Sequence, residues 1–348
     1  MKYSIILVVY DPLDNFSHAV ALPSAIKSIS TLNGDYELIM VNNHDPSKCP
    51  NTTHLLRSTA KSTNNTKLLE LDKNFGCAGG FNKGAELSDP RSEALIYMSC
   101  DAYIVDPQIL YKFDRIFAQY PRICALHPLS IYEDIVCANY SNKWNDVIFN
   151  HVKTHIPNDI PWDHYVELPK DIMNITNIVL KRKQYIRCPV MQLPLTFYAV
   201  KTNIFKQLRG FNDGFIAGYE NIDFCLRALR QGYRSAIINN SFVYHRRDLF
   251  YALGQHGTNG DVVMKSACSG KAAWQSIWHD DPSSAYYRIR YGILSAAIIK
   301  CRHIIYLVVM PRLRRYWGNA SDLRVWMFHA KKTPKKLPAR NPSQTSNG

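Results

Sequence analysis

The sequence predicts an α/β fold built on a doubly wound, mostly parallel sheet, and three observations support that reading. Short apolar runs alternate with helical stretches over the first hundred residues, which is the rhythm of strands joined by crossover helices. The ends of the apolar runs carry Tyr10-Asp11, Asn42-Asn43-His44-Asp45 and Ser99-Cys100-Asp101, and such sheets bind ligands at the carboxyl ends of their strands. A chain of 348 residues with 46% hydrophobic composition can bury a substantial core, which excludes disorder as its main state.

The elements follow in order. The first strand is read at residues 4–9, an apolar run too short for a signal peptide and closed by Asp11. A helix over 19–32, a strand over 36–41, a helix over 54–61, a strand over 67–71, a helix over 82–87 and a strand over 94–98 come next. Residues 139–187 are polar, rich in aromatic and proline residues such as Trp144, Pro157, Pro161, Trp162 and Pro169, and show no period. They read as a long excursion. A strand over 190–200, a helix over 201–208, a second helix beginning near Ile222 and a strand-like run over 235–238 complete a domain expected to span 1–250. A helical extension is expected over 251–330 and a basic, disordered tail over 331–348.

The net charge is +14, and +10 of it falls in residues 300–348, where eleven basic side chains face Asp322 alone. The preceding stretch, 292–310, is strongly apolar but interrupted by Lys300, Arg302 and His303, which argues against a transmembrane span. On a helix, Leu294, Ala297, Ile298, Cys301, Ile305 and Val308 share one face, and Arg312, Arg314, Arg315, Tyr316 and Trp317 follow. This pattern fits a helix lying in an anionic membrane surface through 292–317. It also fits a helix packed on the protein's own core with a solvated basic tail. No nucleic-acid-binding motif accompanies the charge, so nucleic acid is not an expected partner. The nine cysteines are scattered and include no C-x-x-C pair, which suggests neither a disulfide framework nor a zinc site and points to a reducing compartment.

Four constellations carry chemistry. In Asn74-Phe75-Gly76-Cys77-Ala78-Gly79-Gly80-Phe81-Asn82-Lys83-Gly84, glycines would let backbone amides approach a diphosphate near a helix N-terminus; close helix-sheet packing explains the same glycines equally well. Asp101, beyond the strand at 94–98, could hold a divalent cation that neutralises a leaving diphosphate, or could simply cap a loop. Glu220 and Asp223 share a face of a helix start, with Arg227 four residues beyond Asp223. These three read either as an acidic site or as a capped helix with an i,i+4 ion pair. The fourth is His245, in Val243-Tyr244-His245-Arg246-Arg247.

In order and spacing these pieces resemble the family 2 glycosyltransferases of the GT-A fold, especially the rhamnosyl- and galactofuranosyl-transferase-like branch. The resemblance covers about residues 3–245, and its most specific parts are Asn74-x-Gly-x-x-x-Gly-x-Asn-x-Gly and the run from Phe215 to Arg227. It implies a nucleotide-diphosphate sugar as donor, Mg2+ or Mn2+ as cofactor, and a lipid-linked or polysaccharide acceptor in cell-surface glycan synthesis, with the enzyme peripheral at the inner face of the cell membrane. Tyr10, Asp11, Asn42 and Asn43 would flank the nucleobase and ribose. Asn74, Gly76, Gly79 and Asn82 would surround the nucleotide, and Arg227 would lie on the donor side. Asp101 matches the residue that binds metal or diphosphate, and His245 matches a histidine that completes a metal site. The excursion at 139–187 would face the acceptor.

Three departures stand out. Asn42 replaces a common aspartate, Asp101 lacks a second acid beside it, and Asn221 occupies the position of the family's general base. Inverting transfer needs a carboxylate to take the acceptor proton, so the role is expected to pass to Asp223 or Glu220. A non-catalytic, membrane-associated protein that keeps a nucleotide-sugar-binding fold is the competing reading.

Overall fold

A computed structural model describes residues 2–11, 14, 21–130, 180–181, 183–184, 186–190, 193–215, 218–245, 274–279, 285–286 and 288–289. The stretch 292–317, the tail 331–348, Arg246, Arg247 and most of the 139–187 excursion lie outside these residues. The chain divides into two compact units, Met1–Arg290 and Tyr291–Gly348, and every described residue falls in the first.

The elements are β1 (Lys2–Val9), α1 (Leu22–Ile29), β2 (Asp35–Asn42), α2 (Pro50–Ser62), β3 (Thr66–Glu70), α3 (Gly76–Glu86), β4 (Ala94–Ser99), β5 (Ala102–Ile104), α4 (Ile109–Gln119), β6 (Ile123–Ser130), β7 (Ile186–Arg187), β8 (Phe197–Lys201), α5 (Thr202–Gln207), α6 (Glu220–Arg230) and β9 (Arg234–His245). The strands form one sheet in the order β3-β2-β1-β4-β8-β6-β9-β5, with β7 also on β9. The pairings make β1, β2, β3, β4, β6 and β9 run one way, while β5, β7 and β8 run against them. The doubly wound, mostly parallel α/β fold expected from the sequence is therefore what forms.

Strand alternation sorts the core onto the two faces of the sheet. Tyr3, Ile5, Leu7 and Val9 of β1 pack with Leu38 and Met40 of β2 and with α1, α2 and α4. Ile6 and Val8 pack with Ile39 and Val41 and with α3, α5 and α6. Neighbouring residues at a strand end thus face opposite helices, which matters for Asn42 and Asn43.

Four differences from the sequence reading have physical causes. Helix α3 starts at Gly76 rather than Asn82, so the glycine run is itself helical. Cβ atoms at Gly80 and Gly84 would collide with Val8 and Ile6 of β1, and their absence lets α3 lie close on the sheet. The expected strand at 190–200 is regular only from Phe197, since Pro194 has no N–H to give to a ladder. β8 enters antiparallel between β4 and β6, a direction that no local period encodes. Finally, α4 and β6 were not anticipated. α4 buries Ile109, Leu110, Phe113, Ile116 and Phe117 at helical spacing, whereas β6 carries Pro128, which argues against a strand when read locally.

Candidate active site

The carboxyl ends of β1, β2 and β4 meet the starts of α2 and α3. Parity sends Asn42 towards α2 and Asn43 towards α3. Asn42 donates to Thr53 Oγ1 at 2.9 Å and its Oδ1 faces the Cys49 thiol at 3.7 Å, while Thr52 Oγ1 lies 3.4 Å from Asp11 Oδ2. Asn42 and Asp11 are both buried and brace the first turn of α2. Asp14 completes this end by accepting the backbone N–H groups of Asn51 and Thr52 at 2.8 Å each, a negative charge at the positive end of a helix. Tyr10 and His44 place their rings side by side, 5.3 Å between centroids.

Asn43 is the hinge pin of the glycine segment. Its Nδ2 donates to the Gly76 carbonyl at 2.9 Å and to Asn74 Oδ1 at 3.1 Å, and its Oδ1 accepts the Phe75 N–H at 3.0 Å. Asn74 Oδ1 also receives the Gly76 N–H at 2.8 Å. Gly76 has φ +74°, a conformation glycine adopts without the penalty of a Cβ. Gly79 allows the Phe75 side chain to fold over the helix, since a Cβ there would lie 2.8 Å from Phe75 Cβ. Asn82 is engaged elsewhere. Its carboxamide bonds the Phe211 carbonyl at 2.8 Å, the Phe211 N–H at 3.0 Å and the Asp213 carboxylate. It therefore clamps the turn before α6, nearly two turns along α3 from the segment that Asn43 and Asn74 hold.

Asp101 and His245 come together from distant parts of the chain because Ala102 of β5 pairs with His245 of β9. Asp101 Oδ2 and His245 Nε2 are 2.9 Å apart and both residues are buried. Burial pushes the Asp101 carboxyl up, but the charge of His245 and its hydrogen bond outweigh that and hold it at about 2. His127, missed in the sequence, lies within electrostatic reach of His245. Its Nε2 accepts the Phe197 N–H at 3.2 Å and its Nδ1 binds the Pro128 carbonyl. Burial pushes His127 down to about 3 despite that carbonyl, so it stays neutral beside the pair.

A carboxylate oxygen and an imidazole nitrogen suit a divalent cation. Among the described residues no group of three or more His, Cys, Asp or Glu gathers at one point. The described residues thus offer a cation two donor side chains, Asp101 and His245.

At the start of α6 the four motif residues do different things. Asp223 Oδ2 accepts from Arg227 Nε at 2.7 Å and Oδ1 accepts from Trp278 Nε1 at 3.0 Å. Arg227 donates onward to the carbonyls of Leu208 and Gly210 at 2.6 and 2.9 Å. Asn221 Nδ2 donates to the Leu193 carbonyl at 2.7 Å. Glu220 is buried at the first helical position and is near Tyr97 of β4. Burial first, then the proximity of Cys77, Glu220 and Cys100, drives the Tyr97 phenol well above its ordinary range. Tyr97 thus reports that the glycine segment, the end of β4 and the start of α6 converge. Trp278 and Leu193 gave no signal in the sequence, because nothing periodic links them to the motif.

No protein-family model matches the chain, and no curated protein sequence matches it. Solved structures resemble it weakly. They include S. aureus TarS 1–349, at 12% identity and TM-score 0.45, covering 82% of this chain and 74% of that one. The mannosyltransferase PcManGT from Pyrobaculum calidifontis, in complex with GDP-Man and Mn2+, gives 13% and 0.46 over 94% and 83%. GalNAc-T7 with UDP, GalNAc and Mn2+ gives 14% and 0.42 over 70% and 43%. Likeness at this level assigns no activity to the chain.

Proposed function

We propose that the chain is an inverting glycosyltransferase of the GT-A kind, which moves a hexose or deoxyhexose from a nucleoside diphosphate to a lipid-linked or polysaccharide acceptor in cell-surface glycan synthesis. This reading is supported by the Asn43-Asn74-Gly76 segment and the Asp101–His245 pair, each at the carboxyl end of a strand, and by Cys77 and Glu220 lying within electrostatic reach of Tyr97 on β4. Tyr10 and His44 offer ring faces for a nucleobase, and the first turn of α3 offers the positive end of a helix to phosphate oxygens. Asp101 and His245 would hold Mg2+ or Mn2+, which when bound supplies positive charge against a leaving diphosphate.

The acceptor hydroxyl attacks the anomeric carbon, the bond to the diphosphate oxygen breaks, and the nucleoside diphosphate departs with that electron pair. The hydroxyl proton passes to a carboxylate. Both Asp223 oxygens are engaged by Arg227 and Trp278 and Asn221 cannot accept a proton, so Glu220 is assigned the role. The basic segment 292–317 is assigned to an anionic membrane surface at the cytoplasmic face.

A panel of nucleotide sugars, with and without Mn2+, tests the donor by thermal shift, since a ligand of the native state raises the melting temperature by mass action. One donor series should stabilise the protein, more so with metal; no shift with any member removes the proposal. With the donor in hand, Glu220→Gln should lower turnover by about 10²–10⁴ while the donor-induced shift persists. Full turnover in that variant would take the base role from Glu220. The non-catalytic alternative is favoured by one feature, the commitment of Asn221 to a backbone carbonyl, and predicts donor binding with no turnover in the native chain.

A further inference from the structure

The aromatic residues beside α6 form an ordered stack that the transfer chemistry above does not use. Trp274 and Trp278 lie nearly parallel, with centroids 5.2 Å apart and planes at 7°. The Arg230 guanidinium sits 4.2 Å over Trp278 and closes one end. At the other end the Tyr219 ring packs on Trp274 at 5.6 Å. Trp274 is buried, whereas Tyr219 is only half-buried. The Tyr219 backbone is left-handed, φ +73° and ψ −16°, a conformation that a bulky side chain adopts rarely and at a cost. Gly218 before it is exposed and also left-handed, φ +83°, and among the described residues a Cβ there would meet nothing within 4 Å. The last ring of the stack is thus held in a strained backbone, beside open space, one residue before Glu220.

Strain of this kind persists where the surroundings over-determine it, and it gathers at ligand sites. Packing alone does not demand it, because Trp274 is already met by Phe215 at 6.4 Å. We propose that Tyr219 is a specificity-determining residue, a platform on which the saturated ring of the acceptor carbohydrate stacks beside Glu220. The word acceptor rests on the transferase reading; the carbohydrate chemistry rests on the ring. An aromatic face is electron-rich and attracts the weakly positive C–H face of a pyranose or furanose, as the other end of the stack attracts Arg230.

The test is to titrate methyl and octyl glycosides of glucose, galactose and rhamnose into the full chain while following tryptophan fluorescence, since Trp274 lies directly against Tyr219. At least one glycoside should give a saturable change. Tyr219→Phe should keep that affinity within about threefold, and Tyr219→Gly should weaken it by about tenfold or more. The melting temperature of Tyr219→Gly should stay close to that of the native chain, because the left-handed conformation that glycine takes freely offsets the packing lost against Trp274. The proposal is overturned if no glycoside gives a saturable signal, if Tyr219→Gly binds like the native chain, or if its loss of binding comes with a fall in melting temperature. Nucleotide-sugar thermal shifts on the same preparation keep the two readings apart. A glycoside signal without a donor shift removes the transferase and leaves the platform; a donor shift without a glycoside signal removes the platform alone.

Discussion

Asn221 donates its Nδ2 to the Leu193 carbonyl at 2.7 Å, a bond that a carboxylate cannot make. Restoring the acid that the resemblance leads one to expect would set two oxygens against each other. Asn221→Asp should therefore lose about 1–3 kcal/mol and gain no turnover, as read by denaturant unfolding and by the transfer assay. A gain in turnover would mean that the helix start can still accommodate a base at this position. The i,i+3 and i,i+4 relations of Glu220, Asp223 and Arg227 were legible in the sequence, because helix geometry alone puts them together. What could not be read was how each is spent. Asp223 meets Trp278 and Asn221 meets Leu193 through contacts far apart in the chain. The same holds for Asn82, whose place in a glycine motif suggested a nucleotide contact and whose amide closes on Phe211.

Helix α3 shows how one element can satisfy two readings of a motif. Gly76 and Asn74 shape the turn that Asn43 holds, while Gly80 and Gly84 serve contact with the sheet. Gly84→Ala sets two effects against each other. Alanine favours the helix by about 1 kcal/mol, but its Cβ would press into Ile6 Cγ2 and lie 2.9 Å from Val41 Cγ2. Both neighbours are β-branched strand residues with little rotamer freedom, so overpacking of about 1–3 kcal/mol should win. A net loss of stability in denaturant unfolding is expected, and an unchanged or raised midpoint would show that α3 can lift from the sheet. Period and composition could place the crossover helices but not this distance of approach, which depends on side chains from two strands. β6 and the direction of β8 escaped for a related reason: their partners are strands far away in sequence, and Pro128 masks the local pattern of β6.

At the scale of the whole molecule, the sheet separates the site from the network that anchors its opposite end. Glu37 near the start of β2 accepts Ser4 Oγ of β1 at 2.6 Å and the Asp89 N–H, and pairs with Lys67 of β3 at 2.8 Å. Lys2 and Arg91 gather on Asp89 beside it. Burial pushes the Glu37 carboxyl up, but the Lys67, Ser4 and Asp89 hydrogen bonds prevail and hold it below its ordinary value. A depressed carboxyl contributes stability that is present above its unfolded value, roughly pH 4.3, and is lost as pH falls through the folded one. The melting temperature should therefore drop as the protein is acidified below about pH 4. In Glu37→Gln that part of the dependence should be flatter, at a cost of about 1–2 kcal/mol near neutrality, reduced because Lys67 is half in solvent. Asn43 and Asn74 lie at the other end of the same strands, so the variant should bind the donor as the native chain does. A loss of donor affinity in Glu37→Gln would mean that the two ends of the sheet are not energetically separate, and that β1 and β2 transmit strain from Lys67 to the Gly76 turn.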